Sequence, residues 1–402
     1  MKFETVKIAD LISEISMGPF GSNIKVECFV DDGIPVLNGS NLDGFVLKED
    51  SFRYVTEKKA DSLGKANAHK GDVVITHRGT LGQIVFIPQD SLCDRYVISQ
   101  SQFRVKCNDR VLPEYLVYYF HTRIGQHKLL SNASQVGVPA LARASTTFQK
   151  IEIEVPDIEN QKKIIDILET LRRKIELNNE INKNLEQQAQ ALFECLFIEN
   201  ADPNWKRGTI QDLGIVVGGS TPSKKKAEYY TKCGIAWITP KDLANDKSKF
   251  ISHGENDITE LGLENSSACI MPEGTVLFSS RAPIGYIAIA AGEVTTNQGF
   301  KSVVPKEEIG TAYVYFFLKH NLPVIEGVAS GSTFKEVSGS IMKRIPAIIP
   351  DGETLARFSD FCLPLFKQQQ ILEGQNRKLS ALRDGVLPRL MSGELDVSTL
   401  DI

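Results

Sequence analysis

A chain of 402 residues, 42% hydrophobic and 24% charged, has the make-up of a globular protein and length for roughly two or three domains. A formal net charge of −4 excludes a uniformly basic nucleic-acid-binding surface, so any positive potential has to be local. No apolar run approaches the ~20 residues of a membrane span, the start Met1-Lys2-Phe3-Glu4-Thr5 lacks a signal-peptide core, and seven scattered cysteines without C-x-x-C spacing argue against disulfides or zinc and for a reducing cytoplasm.

In chain order, a first globular unit is predicted over residues 1–156. Its short β-branched or aromatic runs, Val73–Thr76, Gln83–Ile87 and Gln102–Val105, read as strands bounded by Gly or Pro. One helix over 114–130 interrupts them, with Pro113 suited to its first turn because the missing N–H has no helical partner there. A long helix follows over 157–198, then a break of turn residues at Asn200-Ala201-Asp202-Pro203-Asn204. A second globular unit covers 205–350, with strands at Thr275–Phe278, Tyr286–Ile289 and Gly299–Val304. A second long helix over 351–392 and a tail to 402 close the chain.

The second unit repeats the first. Gly33-Ile34-Pro35-Val36-Leu37-Asn38 corresponds to Gly234-Ile235-Ala236-Trp237-Ile238-Thr239, and Lys70-Gly71-Asp72-Val73-Val74 to Glu273-Gly274-Thr275-Val276-Leu277. Tyr115-Leu116-Val117-Tyr118-Tyr119-Phe120 corresponds to Tyr313-Val314-Tyr315-Phe316-Phe317-Leu318. The offset drifts from about 203 to about 194, as loop insertions require. A period this long marks a duplicated domain; solenoid units run ~20–50 residues.

Each copy runs into a helix with a heptad seam. Alternate steps of four and three from Ile164 give Leu168, Leu171, Ile175, Asn178, Asn182, Leu185, Ala189, Leu192 and Leu196. The second helix gives Leu355, Phe358, Cys362, Leu365, Gln369, Leu372, Asn376 and Leu379. Both seams are apolar at their outer parts and carry amides within, and buried amide layers penalise slipped registers. Paired antiparallel, helices of about 40 residues would act as a ruler on the order of 60 Å long. Two ordinary core helices are the alternative.

These features resemble the specificity (S) subunits of type I restriction-modification systems, over essentially the whole length. The carriers are the tandem repeat, the helix segments Lys174-Ile175-Glu176-Leu177-Asn178-Asn179-Glu180-Ile181-Asn182 and Leu192-Phe193-Glu194-Cys195-Leu196-Phe197, and the close Leu382-Arg383-Asp384-Gly385-Val386-Leu387-Pro388-Arg389-Leu390-Met391-Ser392-Gly393-Glu394-Leu395. The Val155-Pro156 and Ile349-Pro350 junctions add to them. The resemblance implies an α+β fold: two similar β-rich target-recognition domains separated by an antiparallel coiled coil of two long helices, with pseudo-twofold symmetry. It further implies a non-catalytic subunit that reads a bipartite sequence in double-stranded DNA and docks two methyltransferase (M) subunits, with two restriction (R) subunits joining. S-adenosylmethionine is then expected in M and ATP with Mg in R, with no cofactor in this chain. Half-sites on one side of B-DNA lie ~34 Å apart, and unlike copies predict an asymmetric target.

Enzymatic signatures are scarce. There is no G-x-x-x-x-G-K-[ST] phosphate loop and no Asn-Pro-Pro-aromatic or Asp-Pro-Pro-aromatic tetrapeptide. Pro156-Asp157 and Pro350-Asp351 lead into helices, where both residue types are ordinary, rather than into a nuclease strand. The six histidines lack ligand spacing. Competing readings are an enzyme with an unrecognised motif, a stand-alone sequence-specific DNA-binding regulator and a coiled-coil scaffold.

Three groups carry DNA-contact chemistry, namely cations, amides and small hydroxyls near glycine. The first is Thr221, Ser223, Lys224, Lys225 and Lys226, followed by Tyr229 and Tyr230, with the less basic Ser22, Asn23 and Lys25 as its counterpart. The second is the recurring arginine, Arg78 with Thr80 and Arg281 in the other copy. The third is Gln135 with Arg143, matched by Thr333 and Lys335. A solvated lysine run and an arginine paired inside its domain are the bland alternatives.

Overall fold

The computed structural model describes residues 1–19, 23–134, 137–331 and 335–400. The chain divides into two compact units, residues 1–174 with 379–402 and residues 175–378. The division falls within both long helices, whereas the sequence places domain edges at their ends. The cause is packing. Ile164 and Leu168 of the first helix are buried in the core of the first unit, while Ala189, Phe193 and Phe197 are buried in that of the second.

The first unit holds an antiparallel sheet in the spatial order Ile12–Met17, Gln102–Cys107, Asp72–Thr76 and Ile84–Phe86. A second sheet orders Phe29–Val30, Arg53–Val55, Ile34–Val36, Arg95–Val97 and Asn67–His69, with Val36 and Val97 paired in parallel. The second unit repeats this plan. Gly214–Gly218, Lys301–Pro305, Val276–Ser280 and Ile284–Ala290 form the first sheet, extended by Phe250–Ile251. Its smaller sheet contains Ile235–Ile238 beside Thr295–Thr296, again in parallel. A two-stranded ribbon leads into each long helix: Phe3–Lys7 with Glu152–Pro156, and Lys206–Thr209 with Pro346–Ile349.

One helix is apolar all round in each unit and lies inside its core, as such helices must. Tyr115 to Phe120 are buried in Pro113–His121, and Ala312 to Leu318 in Thr311–His320. The helix predicted over 114–130 is two helices. Thr122 takes an extended conformation and its hydroxyl accepts from the Gly125 N–H, starting Arg123–Leu130 as a new helix.

The long helices are Ile158–Glu194 and Gly352–Met391, the first closing in a wide π-type turn over Cys195–Glu199. All seam residues are buried or half-buried, including Leu171, Ile175, Leu185, Leu192, Leu196, Leu365 and Leu379. In the second unit Asn178 donates to Asn376 Oδ1 at 2.8 Å, and Asn376 donates to Asn179 Oδ1 at 2.7 Å. Gln369 donates to the Asn182 carbonyl at 3.1 Å. Numbers rising on one helix and falling on the other make the pair antiparallel. Residues from the far end of the chain complete the first unit: Leu387, Leu390, Met391 and Val397 join its core, and the Met1 ammonium meets Asp396 at 2.5 Å. Among the described residues no helix is long and apolar enough to cross a membrane.

Candidate functional site

Described parts of the candidate loops meet at a turn that carries none of the predicted site residues. In the first unit this turn joins Arg95–Val97 to Gln102–Cys107, and in the second it joins Thr295–Thr296 to Lys301–Pro305. The chain after the first strand of each main sheet crosses it. Gly18 N–H donates to the Gln102 carbonyl at 2.8 Å, and Gly219 N–H to the Phe300 carbonyl at 3.4 Å. A Cβ on Gly18 would lie 1.9 Å from Ser99 O, and one on Gly219 2.0 Å from Asn297 O, so both crossings require glycine.

The arginine loops pack on the same turn. His77 N–H donates to Ser101 O at 2.8 Å, and Ser280 N–H to Gly299 O at 2.7 Å. The third loop then closes on the second: Leu141 N–H donates to His77 O at 2.8 Å, and Val337 N–H to Ser280 O at 3.0 Å. Arg78 bridges Ala140, and Arg281 bridges Glu336. Four loops are thus tied by matching hydrogen bonds in both units. Of the non-glycine residues in the left-handed backbone region among those described, Arg143 and Ala282 lie in these loops, both at a φ of 48°. Such strain persists only where surrounding structure enforces it.

In the second unit the loops line an open cavity of about 660 Å³ that includes Thr221, Lys224, Trp237, Arg281, Asn297 and Gln298. Two aromatics pin the lysine loop: Tyr230 hydroxyl donates to Pro222 O at 2.6 Å, and Trp237 Nε1 to Ser220 O at 3.0 Å. Ser223, Lys224 and Lys225 are exposed. Lys226 Nζ is held by the Tyr229 hydroxyl at 2.8 Å, and that bond raises its pKa above the ordinary lysine value. Arg281 lies 3.7 Å from Glu336, which Lys301 approaches from the other side at 3.6 Å. The intramolecular carboxylate is therefore shared between two cations. Asp242, also on the cavity wall, is spent on its own capping box with Thr239.

In the first unit Asn23, Lys25, Arg78, Thr80 and Arg143 are exposed, as is Lys335 in the second. Among the described residues no hydrogen bond or ion pair joins Asn23 or Lys25 to the Arg78 or Arg143 loops. Ser22, Gln135 and Thr333 lie outside the described residues. Among the described residues no group of three or more His, Cys, Asp or Glu is placed to hold a metal.

Residues 2–187 and 203–381 match the type I restriction modification DNA specificity domain, which covers most of the chain. The chain belongs to that family. The specificity subunit is 42% identical over 179 residues to the MjaIX specificity subunit of Methanocaldococcus jannaschii, a match covering 42% of this chain and 41% of that protein. It is 24% identical over 418 residues to the HindI specificity subunit of Haemophilus influenzae, covering 84% of this chain and 89% of that one. The crystal structure of a type I system S subunit from M. genitalium shares the fold, with a TM-score of 0.56 and 15% identity over 97% of this chain and 96% of that one.

In this specificity subunit the second unit is fastened to both long helices by a buried ionic cluster that sequence reading missed. Lys249, 8% exposed, donates to Glu186 at 2.7 Å and to Gln369 Oε1 at 3.1 Å. Its ammonium lies 3.5 Å from the Phe366 ring centre and 4.4 Å from that of Tyr315. Burial pushes the Lys249 ammonium down to about 8, although Glu186 opposes the shift. Burial alone would raise the Glu186 carboxyl, but Lys249 and Lys319 outweigh it and hold the group below the ordinary range. The neighbouring Glu373 carboxylate accepts the Lys249 and Phe250 N–H groups at 2.7 and 3.1 Å. In the first unit Tyr118 donates to Glu169 of the first long helix at 2.7 Å, and Arg383 of the second lies 5.1 Å from the Phe45 ring centre.

Proposed function

We propose that this specificity subunit reads double-stranded DNA through the four-loop constellation of each unit and carries no catalytic step itself. The observation behind the reading is that one loop scaffold, tied by matching hydrogen bonds, recurs twice with different side chains on it. A scaffold held constant while its exposed residues vary suits two half-sites of different sequence, hence a bipartite, asymmetric target. Phosphate contacts from Lys25, Lys224, Lys225 and Lys335 would hold the duplex, and Arg78, Arg143, Arg281 and the hydroxyl residues would reach base edges.

The paired long helices form the spacer and dock two methyltransferase (M) subunits, with two restriction (R) subunits completing the endonuclease. S-adenosylmethionine belongs to M and ATP with Mg to R, and none of them is held by this chain. Seven free cysteines suit a cytoplasmic protein.

The test uses full-length chain, alone and co-purified with a methyltransferase subunit, in gel-shift and methyl-transfer assays. Tight sequence-specific binding is expected only for the complex, with no methyl transfer or cleavage by the chain alone. Catalysis by the lone chain overturns the reading, and tight specific binding by the lone chain turns it into that of a regulator.

A further inference from the structure

At the centre of each constellation stands one exposed glutamine, Gln100 in the first unit and Gln298 in the second. The turns carrying them differ on both sides, Ser99, Ser101 and Gln102 facing Asn297, Gly299 and Phe300, yet the glutamine recurs at the same place. The backbone beneath it is fixed from several directions. Gly18 or Gly219 presses on the residue before it, and the His77 or Ser280 N–H bonds the carbonyl of the residue after it. On either side of the second turn Thr295, Thr296 and Ser302 are fully or almost fully buried.

A rigid backbone that projects an exposed, uncharged amide does nothing for the core. It positions a planar group with two N–H donors and a carbonyl acceptor at a set point on the surface. Gln298 lines the same cavity as Arg281 and Lys224, and its side-chain oxygen accepts a hydrogen bond from the Thr221 hydroxyl, which orients the amide. The oxygen retains a second lone pair and the nitrogen both protons. A paired donor and acceptor on one planar group matches the N6 and N7 edge of adenine in the major groove.

We propose that Gln100 and Gln298 are specificity-determining residues, each reading an adenine in the half-site contacted by its own unit. This rests on the DNA-reading function proposed above and adds which residue reads and which base it selects.

Full-length chain co-purified with a methyltransferase subunit, as wild type, Gln100→Ala, Gln298→Ala and Gln298→Glu, is used to select duplexes from a randomised pool. The wild type should enrich two half-sites, each with a fixed adenine. Gln298→Ala should lose the preference for one adenine, a drop in discrimination on the order of 10- to 100-fold at that position. The other half-site stays unchanged and so reports that the protein is folded. Gln100→Ala should do the reverse, and Gln298→Glu should abolish the adenine preference because a carboxylate has no proton for N7. If the wild type enriches a bipartite sequence and the variants enrich the same bases equally, the assignment falls alone. If the wild type enriches no sequence, the DNA-reading function falls and takes the assignment with it.

Discussion

Replacing Glu186 by Gln removes the carboxylate that partners Lys249 while keeping its size. A buried ammonium stranded in this way typically costs about 3–5 kcal/mol. The structure sets a lower figure, because Lys249 has an escape. With its pKa near 8, deprotonating it in the folded protein at pH 7 costs about 1 kcal/mol. Hydrogen bonds from Tyr315 at 3.1 Å and Gln369 at 3.5 Å to Glu186 are weakened, adding roughly 1–2 kcal/mol. Lys319, 42% exposed, turns to water at little cost. The expected loss is therefore about 2–3 kcal/mol at pH 7. Its sign with pH follows from linkage. The folded pKa of Lys249 lies below its unfolded value of 10.5, so stability rises with pH between about 8 and 10.5. In the variant the folded pKa drops further, the rise starts at lower pH, and the penalty should shrink by about 1 kcal/mol between pH 7 and 9. Urea denaturation followed by tryptophan fluorescence measures this, since Trp205 and Trp237 both lie in the second unit. A loss of 5 kcal/mol or more that is the same at both pH values would refute the escape route.

Replacing Asn376 by Leu strands the Asn178 amide and should destabilise the second unit by about 1–2 kcal/mol, while adding Asn178→Leu should recover much of it; additive losses in a double-mutant cycle would show that the amides are not coupled. Changing Lys224, Lys225 and Lys226 together to Ala should lower the slope of log affinity against log salt by up to about 3 for the DNA-bound complex, at ~0.9 per phosphate contact. With Lys226 held by Tyr229, a fall nearer 2 is expected, and an unchanged slope would leave the lysines off the DNA. Gly219→Ala places a Cβ against the Asn297 carbonyl and should abolish recognition of one half-site while sparing the other, read by the same duplex selection.

The duplication, three strands in each repeat and the two seams were legible because each is a pattern: a recurring string, a short β-branched or aromatic run bounded by Gly or Pro, a period of three and a half. Phe193 and Phe197 lie one position off the seam, yet are more buried than Leu192 and Leu196. There the first long helix faces a globular core as well as a helix, so its apolar face is wider than a coiled-coil stripe. The break at Thr122 is hidden in the sequence because its marks, a capping hydroxyl and Gly125, are each tolerated inside a helix. Lys249 was invisible for a different reason. It sits in a polar stretch, Asp246-Lys247-Ser248-Lys249, and the partners that make its burial tolerable, Glu186 63 positions earlier together with Gln369 and Phe366, are all remote in sequence. The arginine loops were found by comparing the two copies, and the same comparison would have found Gln100 and Gln298. An uncharged exposed amide carries no charge, period or motif to mark it in a single copy.

The split composition of the first unit governs the order in which the molecule is made. Residues 175–378 are contiguous and have every one of their core side chains in place before residues 379–402 have been translated. The N-terminal unit, although synthesised first, lacks Leu387, Leu390, Met391 and Val397 until residues well beyond the second unit have been translated. It must wait, half-built, for a closing segment that arrives only after its sibling is finished. A nonsense codon shortly before residue 387 would accordingly spare the later-made unit and cripple the earlier one.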